Sequence, residues 1–301
     1  MLDLDDWQFD VGGLVIGAGT PIPVGEWEGL VGPPLRTATV DVPDGDGAFP
    51  GVDWLGARTV RLEAGVRTPG DPGAALDLLA QLEEAVSRVE VRTVAGAVAV
   101  LRVKMPGRPA RRLVGRWQPM DTATMAQAVS GWIPVTLEFS ATDPRWQDDI
   151  AQTLTLPLDI SDDTQGFRAP VVAPITTGVS NPSTRPGWVT NSGDLPAWPQ
   201  LTITGPVTNP RVWVVETGRY LELAITLAAG ERIDIDTRPG TRWVLRNGSG
   251  NAATALTSGS RLDLFQLPSG TSEIRWTATD YTNACRLAVT WRDSYTALRG
   301  N

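Results

Sequence analysis

The segment from Trp188 to Trp213, WVTNSGDLPAWPQLTITGPVTNPRVW, constrains the fold of this chain more than any other. Turn chemistry at Asn191, Ser192, Gly193 and Asp194 leads through two prolines into an alternating run, Leu201-Thr-Ile-Thr204. A Gly-Pro turn and Asn209-Pro210 follow, and a second apolar run starts at Val212. Residues of this kind end one extended segment and start the next, so the stretch predicts the opening strands of a β-sandwich after a linker. It divides 301 residues into two parts, each long enough for its own core. The 31 glycines and 24 prolines favour many short strands joined by tight turns over helices.

Upstream, alternation predicts strands at Trp7–Phe9, Leu14–Ile16, residues 35–42, Arg58–Glu63, Val89–Thr93, Ala97–Val103, Arg111–Gln118 and Trp132–Ala141. One helix interrupts them. Asp71 is a good N-cap, Pro72 suits the first helical position, and Ala75, Leu79, Leu82 and Val86 recur at helical spacing, so Asp71–Arg88 is predicted helical. Pro144 in Thr142-Asp-Pro-Arg-Trp146 is expected to stop the last of these strands, because proline has no N–H to give to a ladder. After strand-like Gln152–Leu156, residues 157–190 are rich in Pro, Gly and Thr and read as an irregular arm. Further strands are predicted at Tyr220–Leu227, Glu231–Asp236, Arg242–Leu245, Arg261–Gln266, Glu273–Thr279 and Arg286–Trp291. The fold class expected is mainly β, an N-terminal α+β sandwich with one helix and a C-terminal β-sandwich. The expected organisation is residues 1–150 as the first domain, 151–190 as linker and 191–301 as the second.

Composition excludes several functions. A net charge of -8 opposes nucleic-acid binding, and the local Arg108–Arg116 patch reads as a solvated loop and strand face. The chain has no histidine, the commonest general base and zinc ligand. Its one cysteine, Cys285, lies in a strand-like run and is expected to be a buried, inert thiol. The acidic N-terminus has no signal-peptide pattern, and the longest apolar run, Val94 to Leu101, is far short of the roughly 20 residues of a membrane helix. Folding in a cytoplasm without membrane insertion is therefore expected.

Asp41, Asp44 and Asp46 have the look of a calcium loop, but Val52 stands where such a loop needs its final glutamate, so an acidic Gly-rich turn is expected. Asp234 and Asp236 share one strand face, read as the solvent face opposite Ile233 and Ile235. A catalytic carboxylate pair must instead oppose each other across a substrate. No catalytic residue, metal or cofactor is expected. Trp188, Trp198, Trp213, Trp243, Trp276 and Trp291, with Tyr220 and Tyr281, could form a stacking platform for a sugar ring, but most are expected in the core, and Trp243 and Tyr281 are the candidates singled out.

Four pieces together carry a resemblance. They are Gly56-Ala-Arg58-Thr-Val-Arg-Leu-Glu63 with the helix Ala74–Arg88; Val135-Thr-Leu-Glu-Phe-Ser-Ala-Thr-Asp-Pro-Arg-Trp146; the Asn191–Pro210 segment; and Leu287-Ala-Val-Thr-Trp-Arg-Asp293. In this order and spacing the chain resembles the distal tail proteins (Dit, or minor tail proteins) of long non-contractile-tailed bacteriophages, especially those of actinobacteria. The resemblance implies a structural protein at the distal end of the virion tail, assembled in the host cytoplasm, with no enzymatic activity. It implies a belt domain that closes into a homo-hexameric ring and a galectin-like or jelly-roll sandwich that projects from it. The implied partners are the tail tube protein above, and the tail-tip hub, tail-associated lysin or other minor tail proteins below. The alternative is a carbohydrate-binding module acting on a host cell-wall glycan.

Overall fold

A computed structural model describes residues 3–94, 96–122, 124–158, 187–278 and 284–298. The chain is mainly β with one long helix, and it divides into two units, Met1–Ile150 with Ser294–Asn301, and Ala151–Asp293. No helix among the described residues is long and apolar enough to cross a membrane.

The first unit is built on an antiparallel sheet in the order Leu14–Gly17, Gln8–Val11, Ala99–Lys104, Arg111–Trp117, Trp132–Asp148, Arg58–Arg67, Val24–Glu28. Val60, Leu62, Leu101, Val103, Leu113, Ile133, Val135, Leu137 and Phe139 alternate onto one face and form the core. The helix Pro72–Val86 buries Ala75, Leu82 and Val86 in that core, and its N-cap Asp71 accepts a hydrogen bond from the Ala74 N–H at 2.9 Å. Charge is also buried. Arg102 lies between Asp149 (2.5 and 2.8 Å) and Asp10 (2.9 Å). The hydrogen bond to Asp149, and that to Asp10 against the opposing effect of burial, hold the guanidinium above its ordinary pKa. Arg111, expected on a solvated face, is fully buried, paired with Asp148 and stacked 3.9 Å over the Tyr295 ring.

Pro144 does not end its strand, which continues from Trp132 to Asp148. Arg112 pairs with Gln147 and Val114 with Asp143, so Pro144, Arg145 and Trp146 oppose Leu113 alone. A bulge needs no ladder N–H from its extra residues, which is where a strand tolerates proline. The continuation then pairs Trp146 and Gln147 with Tyr295 and Ser294, returning the chain's end to the first unit. The second domain expected at 191–301 thus gives up its last residues.

Val89–Thr93 is a short helix rather than a strand. It follows the long helix after only Ser87 and Arg88, and the Thr93 hydroxyl closes the turn on the Val89 carbonyl at 2.8 Å.

The second unit is a sandwich. One sheet runs Gln152–Pro157, Arg286–Trp291, Gln200–Thr204, Arg232–Asp236, Trp243–Arg246, Gly250–Asn251, and the other Trp188–Asn191, Gly270–Thr277, Arg211–Val214, Tyr220–Glu222. Leu201, Ile203, Ile233, Ile235, Leu287 and Val289 from the first meet Val212, Val214, Leu221, Ile274 and Trp276 from the second. The segment expected to be a linker therefore contributes an edge strand at its start, Gln152–Pro157, and most of another at its end. The rest of it, residues 159–186, lies outside the described residues. Tyr220–Leu227 divides into Tyr220–Glu222 and Thr226–Leu227, and Arg261–Gln266 holds a 3-10 turn at Leu262–Leu264 instead of a strand. Cys285 is buried, as its strand context predicts.

Candidate assembly surface

The strongest unsatisfied feature of the first unit is the arm between Gly29 and Arg58. Residues 35–42, read from alternation as one strand, form parts of two separate short ladders: Leu35–Arg36 with Trp54–Leu55, and Val40–Asp41 with Ala48–Phe49. The acidic stretch Asp41–Asp46 is the turn at the tip, closed by the Val42 N–H on the Gly47 carbonyl at 3.0 Å. Gly51 keeps the two sides together, because a Cβ there would collide with the Ala38 carbonyl. Val31, Leu35, Val40, Phe49, Val52 and Trp54 are each at least 61 % exposed. Two-residue ladders are marginal by themselves, and apolar groups gathered on one exposed segment mark an interaction site.

The arm's base is held hard. Arg58, 1 % exposed, donates to the carbonyls of Gly29, Leu30 and Val31 at 2.9–3.2 Å, to Pro144 at 2.9 Å and to Thr296 at 3.0 Å. Burial pulls its pKa down to about 10. Its guanidinium also lies 5.2 Å from the Trp146 ring centroid. One side chain thus ties the root of the arm to the bulge at Pro144 and to the returning C-terminal segment. A strand-forming Arg in an alternating sequence gives no sign of this; only the fold brings the five carbonyls together.

Other exposed apolar side chains on the same unit are Leu76 on the long helix, Val89 and Val94 at the short helix, and Met125 and Val129 in the turn before Gly131. The long helix packs against the turn at Ala128–Ser130.

In the second unit, Trp243 is half-buried and stands beside Asp236 in register. Asp236 does not face solvent as expected. It is fully buried and accepts from Arg238 (2.5–3.0 Å), Gln200 (3.0 Å) and Thr241 (3.3 Å), because the turn after its strand folds Arg238 back over it. Asp234 is bound by Thr202 at 2.9 Å and Arg232 at 3.0 Å. Both carboxylates serve the sheet's own surface. Tyr281, the other stacking candidate, lies outside the described residues. No group of three or more acidic or cysteine side chains among the described residues could hold a metal ion.

Residues 192–295 match the family model described as siphovirus-type tail component, C-terminal domain. None of the curated proteins matches the sequence of this chain. Solved structures resemble it over nearly its whole length. The Dit protein of phage SPP1, described as a paradigm of the hub adsorption apparatus in phages infecting Gram-positive bacteria, is 14% identical over 95% of this chain and 98% of its own, with a TM-score of 0.57. A chain of the phage P2 baseplate in its activated conformation with calcium is 10% identical over 94% and 97%, with a TM-score of 0.56. A chain of the corresponding strontium structure gives 10%, 94%, 97% and 0.57. Two of the four pieces that carry the sequence resemblance, in or near Asn191–Pro210 and Leu287–Asp293, fall within the matched domain. Residues 192–295 thus carry the siphovirus-type tail component domain, and the chain as a whole has the Dit fold.

Proposed function

We propose that this structural tail protein is a ring-forming adaptor. Copies of the first unit close around the tail lumen and join the tube above to the tip hub below. The observation that carries the reading is the arm, a rooted segment with six large apolar side chains in water. Its counterpart is the exposed apolar side chains Leu76, Val89, Val94, Met125 and Val129, on different segments of the same unit. An arm that meets these side chains on the next copy makes a head-to-tail contact, the kind that closes into rings. Six copies follow from the family resemblance, since nothing in the chain counts subunits. The charged edge strand Val24–Glu28, with Glu26 and Glu28 exposed, discourages uncontrolled pairing beside the arm.

The adaptor works without turnover chemistry, consistent with a chain that lacks histidine and engages Asp234 and Asp236 in its own sheet. Its place is the distal end of the virion tail, reached after assembly in the host cytoplasm. A photo-crosslinker replacing Trp54 in assembled tails tests the contact. The reading expects crosslinks to residues 76–129 of another copy; crosslinks confined to the same copy count against it.

A further inference from the structure

The outer face of the four-stranded sheet in the second unit has a chemistry that neither the ring nor the sandwich core requires. In register across its strands lie Trp188 beside Glu273, Trp213 beside Arg275 and Tyr220, and Arg211 beside Thr277 and Glu222. Successive residues of a strand point to opposite faces, so Val189, Val212, Ile274 and Trp276 line the core while these side chains look outward. Trp188 is 46% exposed, a large fraction for the residue type with most to gain from burial. Trp213 and Tyr220 are half-buried and Arg211 is exposed.

The polar groups of this face are held in place. Glu273 is itself buried, 6% exposed, and is gripped by Arg275 through two hydrogen bonds of 2.8 and 3.0 Å, while its N–H donates to the Glu216 carboxylate at 3.0 Å. The Arg211 guanidinium lies 4.2 Å from the centroid of the Tyr220 ring. The Tyr220 hydroxyl is seated against Gly259, where any Cβ would collide with it. Thr190 and Thr271 share a hydroxyl–hydroxyl hydrogen bond of 3.3 Å at the margin. The result is a sheet face of aromatic rings interleaved with the guanidinia of Arg211 and Arg275 and the half-buried Glu222.

We infer that this face binds a neutral, hydroxyl-rich polysaccharide, with Trp188 and Trp213 as the stacking rings. Three observations choose this occupant. Arg211 and Arg275 stand against Glu222 and Glu273, with the Glu216 carboxylate on the Glu273 N–H beside them, so the face has no excess of positive charge to select a polyanion. Glutamate is depleted from the cores of protein interfaces, yet half-buried Glu222 stands in register beside Arg211 on this face. Sugar hydroxyls both donate and accept, and carboxylate and guanidinium groups fixed side by side answer both. A sheet face encloses little of a small ligand, whereas an extended chain can cross both tryptophans. Two strand spacings and a two-residue offset separate Trp188 from Trp213 by about 12 Å, a span that a short run of linked sugar rings covers. Binding is weak per copy and gains strength when several copies face one polymer. The inference is independent of the ring, and its failure leaves that reading untouched.

The test is affinity electrophoresis of the full chain through gels containing a soluble neutral glucan, galactan or arabinogalactan, with a glycerol-phosphate polymer as the anionic control. Retardation by at least one neutral polymer is expected. Trp188→Ala and Trp213→Ala each weaken it tenfold or more, while Trp188→Tyr retains most of it and Trp243→Ala leaves it unchanged. Thermal unfolding identifies any variant that is misfolded, and Arg211→Ala then serves in its place, with a smaller loss expected. No retardation by any neutral polymer overturns the inference. So does retardation by the glycerol-phosphate polymer alone, or binding that survives both tryptophan substitutions in a folded chain.

Discussion

Replacing Phe49 and Trp54 by serine in one chain separates assembly from folding. Both side chains are at least 61 % exposed, so their loss costs the free chain little, within roughly 0.5 kcal/mol as for other exposed sites. In a ring they become buried. Fully burying a large apolar side chain is worth about 1.5–3 kcal/mol, and each has roughly six-tenths of that still to gain, or about 1–2 kcal/mol. The pair therefore contributes about 2–4 kcal/mol to each subunit contact, a factor of about 30–700 in affinity at 1.4 kcal/mol per tenfold. Every contact around the ring loses the same amount, so the effect compounds. The assay has two arms: the thermal unfolding midpoint of the purified chain, and its incorporation into tails when co-expressed with the other tail proteins. The expected outcome is an unchanged midpoint with incorporation lost. Normal incorporation, or a midpoint that falls as far as for a core substitution, refutes the reasoning.

Arg58→Ala removes the shared donor of five carbonyls, that of Leu30 buried and the others partly so, and should destabilise the first unit by about 3 kcal/mol, read as a lower midpoint and protease cleavage near residues 29–31. Arg102→Ala removes the cation that buried Asp10 and Asp149 share, at a cost of about 3–5 kcal/mol, measured by urea unfolding. Ending the chain at Asp293 removes buried Tyr295 and the Arg58–Thr296 hydrogen bond. The first unit's calorimetric transition should fall while the second unit's does not. Glu231 is held below its ordinary value of 4.5 chiefly by Arg246, so its contribution to stability is present above that value and is lost as pH falls through the lower folded value. Glu231→Gln should flatten the acid limb of the stability profile; an unchanged limb contradicts this.

What was legible in the sequence was local. Asp71, Pro72 and the spacing of Ala75, Leu82 and Val86 fix the helix without reference to anything distant. The turn residues at Asn191–Asp194 lead into the second unit's strands for the same reason. What was illegible depends on partners. Pro144 forbids a regular ladder, but its strand bulges opposite Leu113, and the bulge accommodates it. Alternation in residues 35–42 was real, yet the pairing partners are Ala48–Phe49 and Trp54–Leu55 within the same arm. Val89–Thr93 is β-branched but too close behind a helix to cross to a sheet. Asp236 looked like a solvent carboxylate until Arg238 and Gln200 closed over it. Of the assembly surface, the apolar residues were visible but their exposure was not, since exposure belongs to packing. The returning Ser294–Tyr295 strand and the role of Arg58 could not be read at all, because they join residues far apart in the chain, Trp146 to Tyr295 and Arg58 to Thr296.

Cryo-electron microscopy of the assembled tail tip tests the central claim most directly. The account predicts a closed ring of this chain around the lumen, with the Gly29–Arg58 arm of each copy seated on the Leu76, Val89 and Val129 surface of the next. Isolated peripheral copies, or a ring whose arms remain in solvent, would contradict it.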